Sequence, residues 1–208
     1  MDKTEIGRLE GLWAGEFGEA YVERNKEAAK GRDAFWQMLL AKYPVTSALE
    51  VGCNLGGNLT WVSQHVPPCQ TYGVDINEHA LARLHEALPH VNAIWAPARQ
   101  LPFRDQWFQL VFTAGVLIHQ PSESLPLVMA EIVRCSKRYV LCMEYFAQDV
   151  VEVPYRGHEG ALFKRDYGGL YQMLFPELKL VEQGFLTKDQ GWDDITWWLF
   201  EKTGTLAP

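Results

Sequence analysis

The stretch from Ser47 to Asn58, SALEVGCNLGGN, constrains the fold more than any other part of the chain. Leu49, Glu50 and Val51 close a short apolar run that predicts a buried strand, and Gly52 through Gly57 then make a glycine-rich turn into a helical pattern. A strand, a tight loop and a helix N-terminus in immediate succession predict an open α/β sheet. In such sheets ligands bind outside the carboxyl ends of the strands, where glycine lets the backbone come close and the first helical turn offers unpaired N–H groups. A nucleotide-like cofactor is the first expectation. The alternative is an ordinary strand-to-helix turn that uses glycine for steric reasons.

The loop departs from the dinucleotide fingerprint at its second glycine, where Asn54 stands, so a pyrophosphate lying against the backbone is disfavoured. Glu50, two residues before Gly52, puts a carboxylate at the strand end, which repels a phosphate and attracts a cation. After a helix stopped by Pro67-Pro68, the run Gln70 to Val74 predicts a second strand ending at Asp75, 23 residues beyond Gly52. An acid at that place can accept hydrogen bonds from both hydroxyls of a ribose. Ile76 then offers an apolar face beside an adenine.

An acidic residue followed by Gly-x-Asn-x-Gly resembles motif I of the class I, Rossmann-like methyltransferases, with Asn54 as the departure. The resemblance extends over roughly residues 45 to 202. It includes Asp75, the Leu101-Pro102-Phe103 segment and two closing β-rich runs, Leu178 to Thr187 and Ile195 to Glu201, too close together for a helical crossover. It implies a doubly wound, mostly parallel seven-stranded α/β sheet with a C-terminal antiparallel hairpin, helices on both faces, and S-adenosylmethionine as cofactor. It also implies cofactor contacts at Glu50, Gly52, Asn54, Gly56, Asp75, Ile76, Ala98, Thr113, Ala114 and Gly115. The family's usual Asp before the Ala of the adenine loop is here Pro97, which leaves that contact to the backbone around Ala98 or to Arg99. Within the family, FGEAYVERN, EYF, VPYRGHEGALFKRD and DDITWW look like the methyltransferases associated with pseudaminic acid biosynthesis, implying a sugar or nucleotide-sugar acceptor from a nonulosonate pathway.

Two catalytic candidates follow the central strands. His119 lies four residues after Gly115 at the expected active-site rim and could take a proton from a hydroxyl or amine; a buried capping histidine is the alternative. Glu144 ends the predicted fifth strand, Arg138 to Tyr145, as a functional group or as a carboxylate paired to an arginine. On the substrate side, Tyr21 and Arg24 share a helix face within an N-terminal helical cap or lid of residues 1–44. Residues 147–177 form a substrate-loop insertion carrying Tyr155, Arg156, His158, Lys164 and Arg165, the last two suited to a phosphate or carboxylate. Solvated charge is the plainer reading of that loop. Residues 203–208 are a tail.

Composition narrows the partners. A net charge of −7 argues against nonspecific nucleic-acid binding, which needs clustered Lys and Arg. The four cysteines lack the spacing of a metal site, no run approaches the roughly 20 apolar residues of a membrane span, and the cytoplasm is the default location. A small-molecule acceptor is expected, with no oligomeric state set. A nicotinamide-dependent oxidoreductase or a noncatalytic cofactor-binding module remains the alternative.

Overall fold

The computed structural model describes residues 4–26 and 30–203; the expected tail beyond Thr203, and residues 1–3 and 27–29 of the expected cap, lie outside them. Seven strands form one sheet in the order β3-β2-β1-β4-β5-β9-β8. They are β1 (Ala48–Val51), β2 (Thr71–Asp75), β3 (Asn92–Trp95), β4 (Phe108–Ala114), β5 (Ser136–Glu144), β8 (Leu178–Leu186) and β9 (Ile195–Lys202). The first five pair in parallel, whereas β9 runs antiparallel to both β5 and β8. This is the doubly wound sheet with a terminal hairpin that the sequence predicts.

Both faces are apolar because alternate residues of the central strands point to opposite sides. Leu141 and Met143 of β5 and Trp197 and Leu199 of β9 pack with Trp36, Leu39, Leu59 and Leu84 from α3 (Asp33–Lys42), α4 (Gly57–Val62) and α5 (Glu78–Ala87). Val140, Cys142, Trp198 and Phe200 meet Met129, Ile132, Tyr167 and Tyr171 from α6 (Leu125–Cys135) and α7 (Tyr167–Leu174) on the other face. The expected cap therefore divides. Helix α3 belongs to the core, with Trp36 fully buried, because Phe35, Trp36, Leu39 and Leu40 form an apolar stripe wide enough to lie on a sheet.

Only α1 (Glu5–Ala14) and α2 (Glu16–Arg24) lie over the carboxyl ends of the strands. They are docked through Asn77, which caps α5 by accepting from the Ala80 N–H while its Nδ2 donates to the Trp13 carbonyl at 2.9 Å. Arg99 adds a two-pronged ion pair to Glu10, at 2.6 and 3.1 Å. The insertion at 147–177 is more ordered than a loop: it contains a two-stranded ribbon, β6 (Val151–Glu152) with β7 (Phe163–Lys164), and then α7. Among the described residues no helix is long and apolar enough to cross a membrane.

Candidate functional site

Between β1 and β4 the strand order reverses, and there the carboxyl edge opens into a cavity of about 740 Å³ under α1 and α2. Its floor is the 52–57 loop. Gly52 has φ +74° and a Cβ on it would stand 2.4 Å from Val116 Cγ2, so neither the conformation nor the space admits a side chain. Asn54 also sits in the left-handed region, at φ +49°, which asparagine tolerates better than other residues bearing a side chain; this explains how it replaces the family's second glycine. The Gly52 and Cys53 N–H groups donate to the Val74 carbonyl, tying the loop to β2.

Two carboxylates flank the loop. Asp75 at the tip of β2 accepts from the Asn54 N–H at 2.8 Å through Oδ2 and from the Asn77 N–H at 2.9 Å through Oδ1, which fixes its plane at the cavity wall. Burial raises its pKa, opposed by those backbone donors. Glu50 is 2% exposed; its Oε1 accepts from Asn58 Nδ2 at 2.7 Å, while Oε2 has no hydrogen-bond partner. Desolvation pushes its pKa up to about 8, against the pull of Asn58 and Arg32.

Asn58 in turn accepts from Arg32 Nη1 at 3.2 Å, and Arg32 donates from Nε to the Gly191 carbonyl at 3.0 Å while lying 4.2 Å above the Trp192 ring. Arg32, Asn58 and Trp192 all line the cavity. Neither Arg32 nor Trp13 is marked as a site residue by any motif, since the groups that place them lie far along the chain: Asn58 and Gly191 for Arg32, 26 and 159 residues away, and Asn77 for Trp13, 64 residues away.

His119 closes the far side in a short 3-10 turn, Leu117–His119. Its Nδ1 lies 2.6 Å from the Ala161 carbonyl, which can only accept, so Nδ1 carries the proton and Nε2 is the bare nitrogen. The ring packs against Trp13, at 4.3 Å between centroids, and Tyr155, at 5.3 Å. Burial lowers its pKa to about 4, which keeps the imidazole neutral at physiological pH. Tyr21, Tyr145, Tyr155 and Arg156 line the same chamber, and burial raises the phenols of Tyr21 and Tyr145.

Of the expected cofactor residues, Glu50, Gly52, Asn54, Asp75, Ile76, Ala98, Ala114 and Gly115 line the cavity. Gly56 and Thr113 do not. Gly56 precedes α4 in the left-handed conformation and faces Leu84 of α5 and Leu88 at that helix's C-cap, where it admits close packing between helices. Thr113 is buried next to Cys142 and Glu144, away from the cavity lining.

The substrate set divides more sharply. Arg24 is exposed and lies 5.9 Å over the Phe17 ring, and His158 packs edge-on to Phe17, both outside the cavity. Lys164 places its ammonium 5.6 Å from the Tyr145 ring centroid, and Arg165, 6% exposed, donates to Ser122; neither lines the cavity. Arg165 is held between the ribbon strand β7 and Asp166, the N-cap of α7, with its side chain turned inward, so the cationic grip expected of Lys164 and Arg165 is absent from the cavity wall. Glu144 does not reach the cavity either: it is fully buried and accepts backbone N–H groups of the 116–118 turn.

A family model described as a methyltransferase domain matches residues 48–138. An uncharacterized protein of Haemophilus influenzae is 30% identical over 95 residues, 43% of this chain and 38% of that protein, so the match spans well under half the relative's length. The crystal structure of the Burkholderia thailandensis 1,6-didemethyltoxoflavin-N1-methyltransferase with 1,6-didemethyltoxoflavin and S-adenosylhomocysteine is 15% identical, with a TM-score of 0.73 covering 98% of this chain and 93% of that one. The magnesium protoporphyrin IX methyltransferase of Synechocystis with S-adenosylhomocysteine gives 12% identity, a TM-score of 0.72 and coverage of 96% and 100%. These likenesses show that the chain shares the fold of those two methyltransferases over nearly its whole length.

Proposed function

We propose that the protein, whose residues 48–138 match a methyltransferase domain, is a class I, S-adenosylmethionine-dependent methyltransferase that transfers a methyl group to a small-molecule acceptor held between His119 and the 147–177 insertion. The observation that carries this is the pair of strand-tip carboxylates, Asp75 and Glu50, flanking the 52–57 loop, with Glu50 Oε2 buried and unpartnered. Such an atom is costly unless a donor reaches it. The ammonium of S-adenosylmethionine is a donor of the right charge, and a dinucleotide pyrophosphate is repelled by the same carboxylate.

In this reading Asp75 holds the ribose hydroxyls, Ile76 and Ala98 flank the adenine, and Glu50 receives the amino group. Arg32, Asn54, Ala114 and Gly115 complete the wall around the methionine end. When bound, the cofactor supplies an electrophilic methyl carbon; the chain supplies alignment, exclusion of water and a proton acceptor. The fixed tautomer of His119 aims a bare Nε2 at the chamber, where a hydroxyl or amine nucleophile would deliver its proton. The chamber's phenol, indole and imidazole rings offer flat apolar faces with polar edges, which suits a compact polar ring.

The finer identity of the acceptor, a sugar or nucleotide-sugar of nonulosonate (pseudaminic acid) biosynthesis in the cytoplasm, rests on the sequence strings FGEAYVERN, EYF and DDITWW. The absence of Lys164 and Arg165 from the cavity favours the sugar itself over a nucleotide-sugar. Thermal-shift measurements with S-adenosylmethionine and S-adenosylhomocysteine test the cofactor: saturation at 100 times the Kd stabilises by about 2.7 kcal/mol. No shift with either, alongside one with a dinucleotide, refutes it. Mass spectrometry of products made with labelled cofactor and a panel of nonulosonate-pathway sugars tests the acceptor.

A further inference from the structure

Glu144 is fully buried at the end of β5, yet among the described residues no cation pairs with its carboxylate. Three consecutive backbone N–H groups meet it instead: Val116 and Leu117 donate to Oε1 at 3.2 and 3.1 Å, and Ile118 donates to Oε2 at 3.2 Å. Successive amides converging on one point form an anion nest, the arrangement that elsewhere receives phosphate. Here the protein fills the nest with its own side chain.

The nest holds a turn with two consequences. His119 is the next residue, so the direction of its ring is set by where Ile118 is pinned. Val116, at the other end, occupies the space that Gly52 leaves free, so the turn also presses on the cofactor loop. One buried anion on β5 thereby reaches both sides of the cavity without touching it.

We propose that Glu144 is the positioning residue of this site: its grip on the 116–118 amides places His119 Nε2 on the chamber and Val116 against Gly52. The inference rests on the proposed role of His119. Glu144 itself acts through the turn and exchanges no proton with the acceptor. The titratable groups facing it are Cys142 on β5 and Tyr167 and Tyr171 on α7, with Tyr145 following it in the chain; burial raises the pKa of each. None of them is charged at neutral pH. Asp166, which caps α7 through the Gly169 N–H, and Arg165, bonded to Ser122, are engaged elsewhere.

The test uses the whole chain with Glu144→Gln, which keeps the shape and removes the charge, and reads the ring nitrogens of His119 and the amide protons of residues 116–118 by NMR. In the wild type His119 should show one protonated and one bare nitrogen. In the variant the two signals should draw together as the loosened turn lets the ring drift from the Ala161 carbonyl that fixes its tautomer, and the three amide protons should move upfield together. Affinity for S-adenosylhomocysteine should fall by less than about tenfold, because Glu144 touches no part of the cofactor site. A folded variant with an unchanged His119 spectrum overturns the proposal. Should the variant not fold, the wild type decides: on titration of Glu144, whose pKa burial raises to about 7, the three amides and the His119 ring must move with one midpoint, and independent midpoints overturn it. Failure of the wild type to bind S-adenosylhomocysteine refutes the proposed function instead, while the two spectra on the free protein still decide Glu144.

Discussion

If Glu50 receives the amino group of S-adenosylmethionine, cofactor binding must depend on pH in a calculable way. In the free protein desolvation holds the Glu50 pKa at about 8, so at pH 7 about one site in ten is ionised. An ammonium in contact favours the carboxylate and returns its pKa to the ordinary range. Binding at pH 7 therefore releases about 0.9 proton, and Kd should improve about tenfold, or 1.36 kcal/mol, for each pH unit gained between roughly 5.5 and 7, levelling above 8. The ligand's own amino group stays protonated below about pH 7, which separates its titration from that of Glu50. Calorimetry in two buffers of different ionisation enthalpy measures both the affinity and the proton count. Glu50→Gln should flatten the profile and abolish the buffer dependence. A wild-type Kd that is constant from pH 5.5 to 7 refutes the assignment of Glu50 to the ammonium.

The sign of the stability effect is opposite. Glu50 and Glu144 have folded pKa values raised above those of the unfolded chain, so their contribution is greatest below about pH 4 and is lost as pH rises through about 7 for Glu144 and 8 for Glu50. Glu50→Gln should therefore raise the Tm of the ligand-free protein at pH 8 while weakening the cofactor, and a lower Tm at that pH contradicts the burial argument. Asp75→Ala should weaken S-adenosylhomocysteine and, by removing the acceptor of the Asn54 and Asn77 N–H groups, also lower Tm; unchanged affinity in calorimetry excludes the ribose role. Gly18→Ala puts a Cβ 1.8 Å from the Trp13 carbonyl and 2.6 Å from Asn77 Nδ2, so it should loosen α1 and α2 from α5, seen as faster amide exchange in residues 5–24 with the sheet unaffected. With an acceptor in hand, His119→Ala should cost roughly 10²–10⁴ in kcat with cofactor affinity retained, and wild-type kcat would leave His119 a purely structural residue.

What was legible in the sequence is what the chain encodes locally. Strand, glycine turn and helix cap follow one another within a dozen residues, so Glu50, Gly52 and Asp75 can be placed at strand tips from periodicity and turn chemistry alone. Asn77 as the cap of α5 is likewise a local signal, though its second bond, to the Trp13 carbonyl, is not. The sequence suits Arg165 to a phosphate or carboxylate of an acceptor because adjacent cations on a segment between two elements mark recognition, whereas the fold turns that side chain inward onto Ser122, a partner 43 residues away.

Glu144 shows the limit most clearly. A carboxylate inside an apolar run signals that something must satisfy it, and sequence offers only side chains as partners, so catalysis or an arginine were the available readings. The actual partners are backbone N–H groups of a turn some 28 residues earlier, which every non-proline residue possesses and no residue type announces. The same holds for Arg32, which meets Gly191 and Asn58 across the cavity through one carbonyl and one side-chain amide. Sequence thus points to the cavity-lining carboxylates, Glu50 and Asp75, and hides the buried charged groups around them, whose partners are generic. The charged groups that hold a site in register are for that reason the ones to be sought among buried side chains bonded to main chain, and Glu144 and Arg32 are where mutagenesis guided by motifs alone would not look for that role.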